Sequence, residues 1–299
     1  MNKSILFYFI LFLNFTYCFS LQSNPIENHK STNVHFFTFG DSGTGDENQY
    51  SVAKQTQETC KKYHCDFGLL LGDNFYEKGV ASIEDPQWKS KFQGPYSPLK
   101  IPIYALIGNH DWRLNPKAQI DYSLMDPYWK MPSFEYSFTF PKEGSAILEI
   151  FVINSMDFDT KAKDWLKGAL SQSQAPWKIL AFHHPILNNG SHHPADQMKL
   201  WPKLAPIVCG KVDLLLSGHE HLFSHLRSPK QSCGIDQVIL GTGGRTLYEI
   251  KKEKIEGLET LHSESSFGLG FFEVDSHEMK LSFIRQDGKR SYSYSWKKN

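Results

Sequence analysis

The chain has 299 residues, 40% of them apolar and 14% aromatic, and its 32 basic and 32 acidic side chains leave a formal net charge of zero. That is enough material for a substantial core in one large domain or two, and it excludes a chain disordered over most of its length. Balanced charge without a long basic run also excludes nucleic-acid binding through a charged surface, and Lys251-Lys252-Glu253-Lys254 reads as a solvated loop or turn.

At the N-terminus, Asn2-Lys3, the apolar run Ile5 to Phe15 and the more polar Thr16 to Ser20 match the three zones of a secretory signal peptide. The run is short for a bilayer span, so residues 1–20 are expected to be removed and the protein exported to a secreted, periplasmic or lumenal compartment. No later segment is apolar enough to span. Residues 21–33 read as a loose leader, and 34–299 as a single catalytic domain. In an oxidising compartment the local pairs Cys60 with Cys65 and Cys209 with Cys233 are the expected disulfides, the alternative being four free buried thiols. Asn189-Gly190-Ser191 is a glycosylation acceptor if the host is eukaryotic.

Val34 to Phe39 is a β-rich run that ends at Gly40-Asp41-Ser42-Gly43, a sharp loop. Asn48 to Lys62 lacks Gly and Pro and suits a helix, and Phe67 to Leu71 is a second buried strand, which completes a βαβ pattern. Asp85-Pro86 resembles a helix start leading into Gln87 to Phe92. The strand Ile103 to Ile107 runs into Gly108-Asn109-His110-Asp111, and Ala146 to Ile153 precedes an amphipathic helix over Lys161 to Leu170. Trp177 to Phe182 ends at His183-His184-Pro185, Gln197 to Val208 reads as a helix kinked or broken by Pro202 and Pro206, and Val212 to Leu216 ends at Ser217-Gly218-His219-Glu220-His221. The tail alternates through Phe271 to Val274, Met279 to Ile284 and Tyr292 to Trp296, with Asp287-Gly288 as a hairpin turn between the last two.

The residues just past the apolar runs are chemically selective: Asp41, then Asp73 with Tyr76, then Asn109 with His110, then His183, then His219 with His221. One such residue alone is a turn, a helix cap or a surface histidine. Together they form a mixed set of carboxylate, amide, imidazole and phenolate donors, which suits iron, zinc or manganese. The donors outnumber what one ion takes, so two metals fit better, with Asp73 bridging ions about 3.5–4 Å apart as in two-metal hydrolysis.

The blocks Gly40-Asp41-Ser42-Gly43, Gly72-Asp73-Asn74-Phe75-Tyr76, Gly108-Asn109-His110-Asp111, Leu180-Ala181-Phe182-His183 and Gly218-His219-Glu220-His221 resemble, in order, the signature blocks of the purple acid phosphatases. These belong to the calcineurin-like metallophosphoesterases, and the resemblance looks closest to the small single-domain tartrate-resistant type. It implies a mixed α/β fold, a four-layer α/β/β/α sandwich of two mixed β-sheets flanked by helices. It implies that Asp41, Tyr76 and His221 hold Fe(III), that Asn109, His183 and His219 hold a divalent iron, zinc or manganese, and that Asp73 bridges them. Most other calcineurin-like relatives have a histidine where this chain has Gly43, and Tyr76 takes its place as donor. The implied reaction is hydrolysis of small phosphate monoesters, nucleotides and phosphoproteins among them, by metal-bound hydroxide in a monomer. His110 and His192 are implied to line the substrate pocket, while His184 and His193 read as exposed loop histidines. Phe182 stands where the family often has glycine and His184 where tyrosine is common. Other readings are a phosphodiesterase or nucleotide hydrolase on the same site, and a low-activity anchoring or receptor protein of the same fold.

Overall fold

Strands with two apolar faces dictate the layering. In β1 (Val34–Phe39), Val34 and Phe36 point to one side and Phe37 and Phe39 to the other, and all four are buried. Such a strand needs cover on both faces. The computed structural model describes residues 33–192, 197–251 and 255–298. The expected signal peptide, nearly all of the leader and His193 lie outside them.

One seven-stranded sheet has the order β14 (Arg290–Lys297), β13 (Glu278–Arg285), β12 (Gly268–Val274), β1, β2 (Phe67–Leu70), β3 (Ile103–Ala105) and β4 (Trp129–Lys130). The other, also seven-stranded, runs β11 (Glu259–Glu264), β9 (Phe223–Arg227), β10 (Asp236–Leu240), β8 (Leu214–Ser217), β7 (Trp177–Ala181), β6 (Leu148–Val152) and β5 (Tyr136–Phe140). Each sheet is mixed. β1 to β4 are parallel, as are β6, β7, β8 and β10, and antiparallel strands flank both groups.

Three apolar layers hold this together. Between the sheets, Phe36, Leu69 and Leu71 face Ile150, Ile179, Leu216 and Leu240. Phe36 stacks on its cross-strand neighbours Phe67 and Phe272 with ring centroids 4.7 and 4.6 Å away, a row across three adjacent strands. Outside the first sheet, Phe37 and Phe39 meet Val52 and Ala53 of α1 (Glu47–Tyr63). The same layer includes Pro95 and Tyr96 of α2 (Gly94–Tyr96), a π-helical turn at Trp88–Gln93 before it, and α3 (Lys117–Tyr122). Outside the second sheet, Leu180 and Leu215 meet Leu166 and Leu170 of α4 (Thr160–Gln172) and Leu204 of α5 (Gln197–Val208). This is the α/β/β/α sandwich that the resemblance implied.

Local chemistry sets the helix ends. Asp46 accepts from the backbone N–H groups of Asn48 and Gln49 at 3.0 and 3.1 Å, and Asp159 from that of Ala162 at 2.9 Å. Asp85 accepts from Gln87 N at 2.9 Å as expected of a cap, but the run after it is π-helical. α5 continues through Pro202 and Pro206 without a break. Patterning also passes over β4, β5, β9, β10 and β11. Both expected disulfides are present, Cys60–Cys65 and Cys209–Cys233. The Asn189 side chain is buried and accepts from Ser224 Oγ at 2.7 Å, so this conformation leaves no room for a glycan there. Among the described residues no helix is long and apolar enough to cross a membrane.

Away from the ligand-bearing loops, a buried polar knot ties the sheets together. Asp236 on β10 accepts from both Arg227 and His225 on β9, and from the indole N–H of Trp296 on β14 at 2.7 Å. Burial works to raise the Asp236 carboxyl, but the hydrogen bonds from His225 and Arg227 hold it down to about 2. A carboxylate depressed on folding adds stability above its unfolded value, near 3.9, that is lost as pH falls toward 2, on the order of 2 kcal/mol. Asp236→Asn is expected to lower the unfolding free energy by about 3 kcal/mol near neutrality, since it takes the carboxylate from Arg227 and leaves His225 and Trp296 a weaker acceptor. Urea melts should also show a flatter dependence on pH between about 4 and 2, and a variant with the wild-type slope would remove Asp236 from this role.

Candidate metal centre

The five chemically selective loops all leave the carboxyl ends of central parallel strands. Asp41 follows β1, Asp73 and Tyr76 follow β2, and Asn109 and His110 follow β3 in the first sheet; His183 follows β7 and His219 and His221 follow β8 in the second. In an open parallel sheet that edge is where a crevice forms. Asp41, Asp73 and His219 turn off their strands with φ of 59°, 51° and 69°. This left-handed backbone costs a non-glycine residue about 1 kcal/mol, and surrounding hydrogen bonds must over-determine it. Asp41 N donates to Gly72 O at 2.9 Å, Arg245 N to Asp41 O at 3.0 Å, and Gly43 N to Asp73 O at 3.2 Å.

Two glycines are dictated by close approach. A Cβ on Gly72, whose φ is 89°, would lie 2.6 Å from His183 Nδ1. A Cβ on Gly43 would lie 2.1 Å from the carbonyl oxygen of Asn74, so the histidine that many calcineurin-like relatives carry there cannot fit this backbone. The Tyr76 hydroxyl reaches the site from the next loop instead.

The donors fall into two groups. In the first, Tyr76 OH donates to Asp41 Oδ1 at 3.0 Å and lies 3.2 Å from His221 Nε2, which is 3.2 Å from the same carboxylate oxygen. In the second, Asn109 Oδ1 lies 3.0 Å from both His183 Nε2 and His219 Nδ1. Asp73 stands between them, with Oδ1 3.6 Å from His183 Nε2. Two rings are aimed from behind: His183 Nδ1 is 2.8 Å from Leu71 O, and His221 Nδ1 is 2.7 Å from Thr246 O. With Nδ1–H donating to those carbonyls, each Nε2 lone pair faces the site, as in a metal-binding histidine oriented by a backbone acceptor. Ligand atoms of Asp41, Asp73 and His183 fall within 4.8 Å of one another, as do those of His183, His184 and His219.

Electrostatics point the same way. Burial, then the neighbouring Asp41 charge, push Asp73 up to about 8; burial, then Asp73, push Asp111 up to about 7. Burial works to raise Asp41 too, but the hydrogen bond and charge of His221 keep it below the usual carboxylate range. Burial lowers His183 and favours the neutral imidazole that a metal needs. Burial and the two aspartates push the Tyr76 phenol well up. A buried cluster of acids whose members resist ionising together fits a site for cations, since positive charge there relieves that repulsion. The donor types and their mutual distances fit a two-metal centre.

His110 flanks the donors directly, and His192 is one aromatic ring removed from them. His110 N donates to Asp73 Oδ1 at 2.8 Å, and its Nε2 lies 4.0 Å from Asp73 Oδ2. The exposed His192 stacks on Tyr248 with centroids 4.1 Å apart, and Tyr248 in turn stacks on His221 at 4.0 Å. Contrary to the sequence expectation, His184 is not an exposed loop residue. It is half-buried, with Nδ1 2.8 Å from Ser155 Oγ and its ring 4.3 Å from that of His219. Its place directly after a donor histidine was the available signal. Other participants have roles that patterning did not assign. Asp111 accepts from the backbone N–H of Asn74, Phe75 and Gly108 at 3.0, 3.1 and 3.0 Å, which joins the loops after β2 and β3. Arg245 lies with its guanidinium 4.6 Å above the Tyr76 ring and pairs with Glu77 at 2.7 Å. Only the folded chain brings Arg245 over Tyr76.

A family model described as calcineurin-like phosphoesterase matches residues 34–223, the stretch that contains every donor. Purple acid phosphatase 3 of Arabidopsis thaliana is 30% identical over 297 residues, covering 89% of this chain and 77% of the relative. Tartrate-resistant acid phosphatase type 5 of Rattus norvegicus is 29% identical over 273 residues, covering 81% and 82%. These values are too alike to favour the tartrate-resistant branch that the sequence suggested. Among solved structures, one titled as GAP50, the anchor in the inner membrane complex of Plasmodium, has a TM-score of 0.77 at 23% identity, covering 89% of both chains, a likeness of fold alone. Folded as two mixed sheets with clustered Asp and His donors at their edge, this chain belongs to the calcineurin-like phosphoesterases and is related to the purple acid phosphatases.

Proposed function

We propose that the chain is an acid phosphatase that hydrolyses phosphate monoesters with an Fe(III)–M(II) pair, M being iron, zinc or manganese. The observation that carries this reading is the meeting of two donor groups on either side of Asp73, one of which contains a tyrosine. Asp41, Tyr76 and His221 would hold the ferric ion, Asn109, His183 and His219 the divalent one, and Asp73 would bridge. A phenolate is a hard anionic donor that favours the ferric state. When bound, the metals supply an activated water nucleophile, the trivalent ion extending its ionisation into acid, and neutralise charge on the transferring phosphoryl group.

The chain's own residues do the rest. Thr246 O and Leu71 O hold His221 and His183 in one orientation, so the donor set needs little reorganisation. His110 beside Asp73, and His192 beyond the Tyr248 ring, are the imidazoles that would bind phosphate oxygens or pass a proton to the leaving alkoxide. The Tyr248 ring fixes the face that His192 presents. Export through an N-terminal signal completes the proposal, consistent with two disulfides that need an oxidising compartment to persist.

Metal-loaded protein is expected to be purple from tyrosinate-to-iron charge transfer, to contain iron by elemental analysis and to hydrolyse p-nitrophenyl phosphate with an acid optimum. A colourless, iron-free preparation of full activity would defeat the assignment. Tyr76→Phe should lose the visible band, whereas a variant that kept the colour would show that another residue supplies the phenolate. Asp73→Ala should lower metal content and reduce kcat/KM roughly a thousandfold; retained activity would refute the bridging role. Turnover of the monoester against bis(p-nitrophenyl) phosphate distinguishes monoesterase from diesterase.

A further inference from the structure

Among the donors, Tyr76 alone would offer a metal an anionic aromatic ring, and the chain gathers charged groups around it. Lys91 Nζ donates to Tyr76 O at 2.5 Å and so meets its backbone. The His110 ring lies 4.5 Å from the phenol ring, tilted to it. Arg245 is the cation held against the ring itself, with its guanidinium carbon 4.6 Å from the centroid. Two contacts fix that pose: Arg245 N donates to Asp41 O at 3.0 Å, and the guanidinium pairs with Glu77 Oε1 at 2.7 Å. Three residues on, Tyr248 N donates to His221 O at 2.9 Å. Backbone bonds therefore hold this loop on both donor residues whatever side chain stands at position 245, and the Arg245 side chain is left with the ring and Glu77.

We propose that Arg245 is a positioning residue that acts through Tyr76: its cation, held over the ring, restrains the electron donation of the phenolate and so sets the colour and the reduction potential of the iron. The inference rests on the ferric tyrosinate reading above and deepens it. In the charge-transfer band an electron moves from the phenolate ring to the ferric ion. A cation against the ring stabilises the electrons there, which raises the energy of that transition and weakens the donor that favours the ferric state. A cation acting mainly on the metal would lower the transition energy instead, so the direction of the band shift reports where the charge acts. Arg245 is partly exposed and Glu77 offsets some of its charge, which puts its effect at the lower end for a cation over an aromatic face. That corresponds to a bias of about three- to fivefold on the ferric–ferrous equilibrium, or about 30 to 40 mV for a one-electron couple at 59 mV per tenfold.

The test uses the full chain loaded with iron and zinc, so that one ion alone changes oxidation state, as wild type, Arg245→Met, Arg245→Gln and Arg245→Lys. Iron content is measured for each, the visible spectrum gives the band position, and a spectroelectrochemical titration with dithionite and mediators gives the potential. Arg245→Met is expected to move the band to longer wavelength and to lower the potential by about 30 to 40 mV. Arg245→Lys, which keeps a cation in reach of the ring, should recover part of both shifts. Should Arg245→Met lose its iron, Arg245→Gln is read in its place. A purple wild type whose band and potential stay where they are in the neutral variants, or whose band moves to shorter wavelength, overturns the role of Arg245 alone. A wild type that takes up no iron, or takes it up without a visible band, overturns the ferric tyrosinate reading and the role of Arg245 with it.

Discussion

One carboxylate joins the two halves of this molecule. Asp41 leaves the first sheet and directs Oδ2 to the backbone N–H of His219 in the second, 2.8 Å away, while Oδ1 faces Tyr76 and His221. The same side chain therefore bonds across the sheet edges and is placed as a candidate metal donor. Removing it would take away a donor and also the bond that sets where His219 starts. Beside it, Gly40 N donates to Leu240 O at 2.7 Å and Gly218 N to His183 O at 3.2 Å, so the edge is laced by backbone bonds as well.

That arrangement carries an electrostatic cost. Asp41, Asp73 and Asp111 are all nearly or fully buried, and their neighbours cannot neutralise all three. Burial and mutual repulsion divide them: His221 keeps Asp41 ionised, while Asp73 and Asp111 are pushed up toward neutrality. At Asp111 three accepted backbone N–H bonds work against that rise and tie the loops together. Asp73, by contrast, has its oxygens turned between the two donor groups. Cations would relieve the strain most at that point.

Aromatic and cationic groups around the donors shape the site without belonging to the donor set. Tyr248 stacks on both His192 and His221, and Arg245 covers the Tyr76 ring while pairing with Glu77. Both come from the loop after β10, whose first glycines pack against Gly40 and Ser42. His184, which stands where a tyrosine is common in the family, packs against His219 and bonds to Ser155. These contacts give the region around the second donor group a character set by this chain's own side chains.

The donor list could be read from the chain because its chemistry is local: an apolar run must end in a turn, and a turn that carries Asp, Asn, His or Tyr repeatedly is not explained by turn formation. The βαβ pattern and the two disulfide pairs were legible for the same reason, being set by neighbours in sequence. Strands β9 and β10 were not: they pair with each other as neighbours in sequence, but Phe223 and Val238 are buried by the facing sheet, which comes from elsewhere in the chain. The Asn189 sequon was legible as a motif, and burial against Ser224 decided its availability. Sequence by itself thus determined which groups are offered and which strand ends offer them. Only tertiary structure decided that Asp41 reaches His219 across the sheets, that Gly43 leaves no room for a side chain, and that Arg245 stands over the Tyr76 ring, because each depends on how segments distant in the chain pack in space.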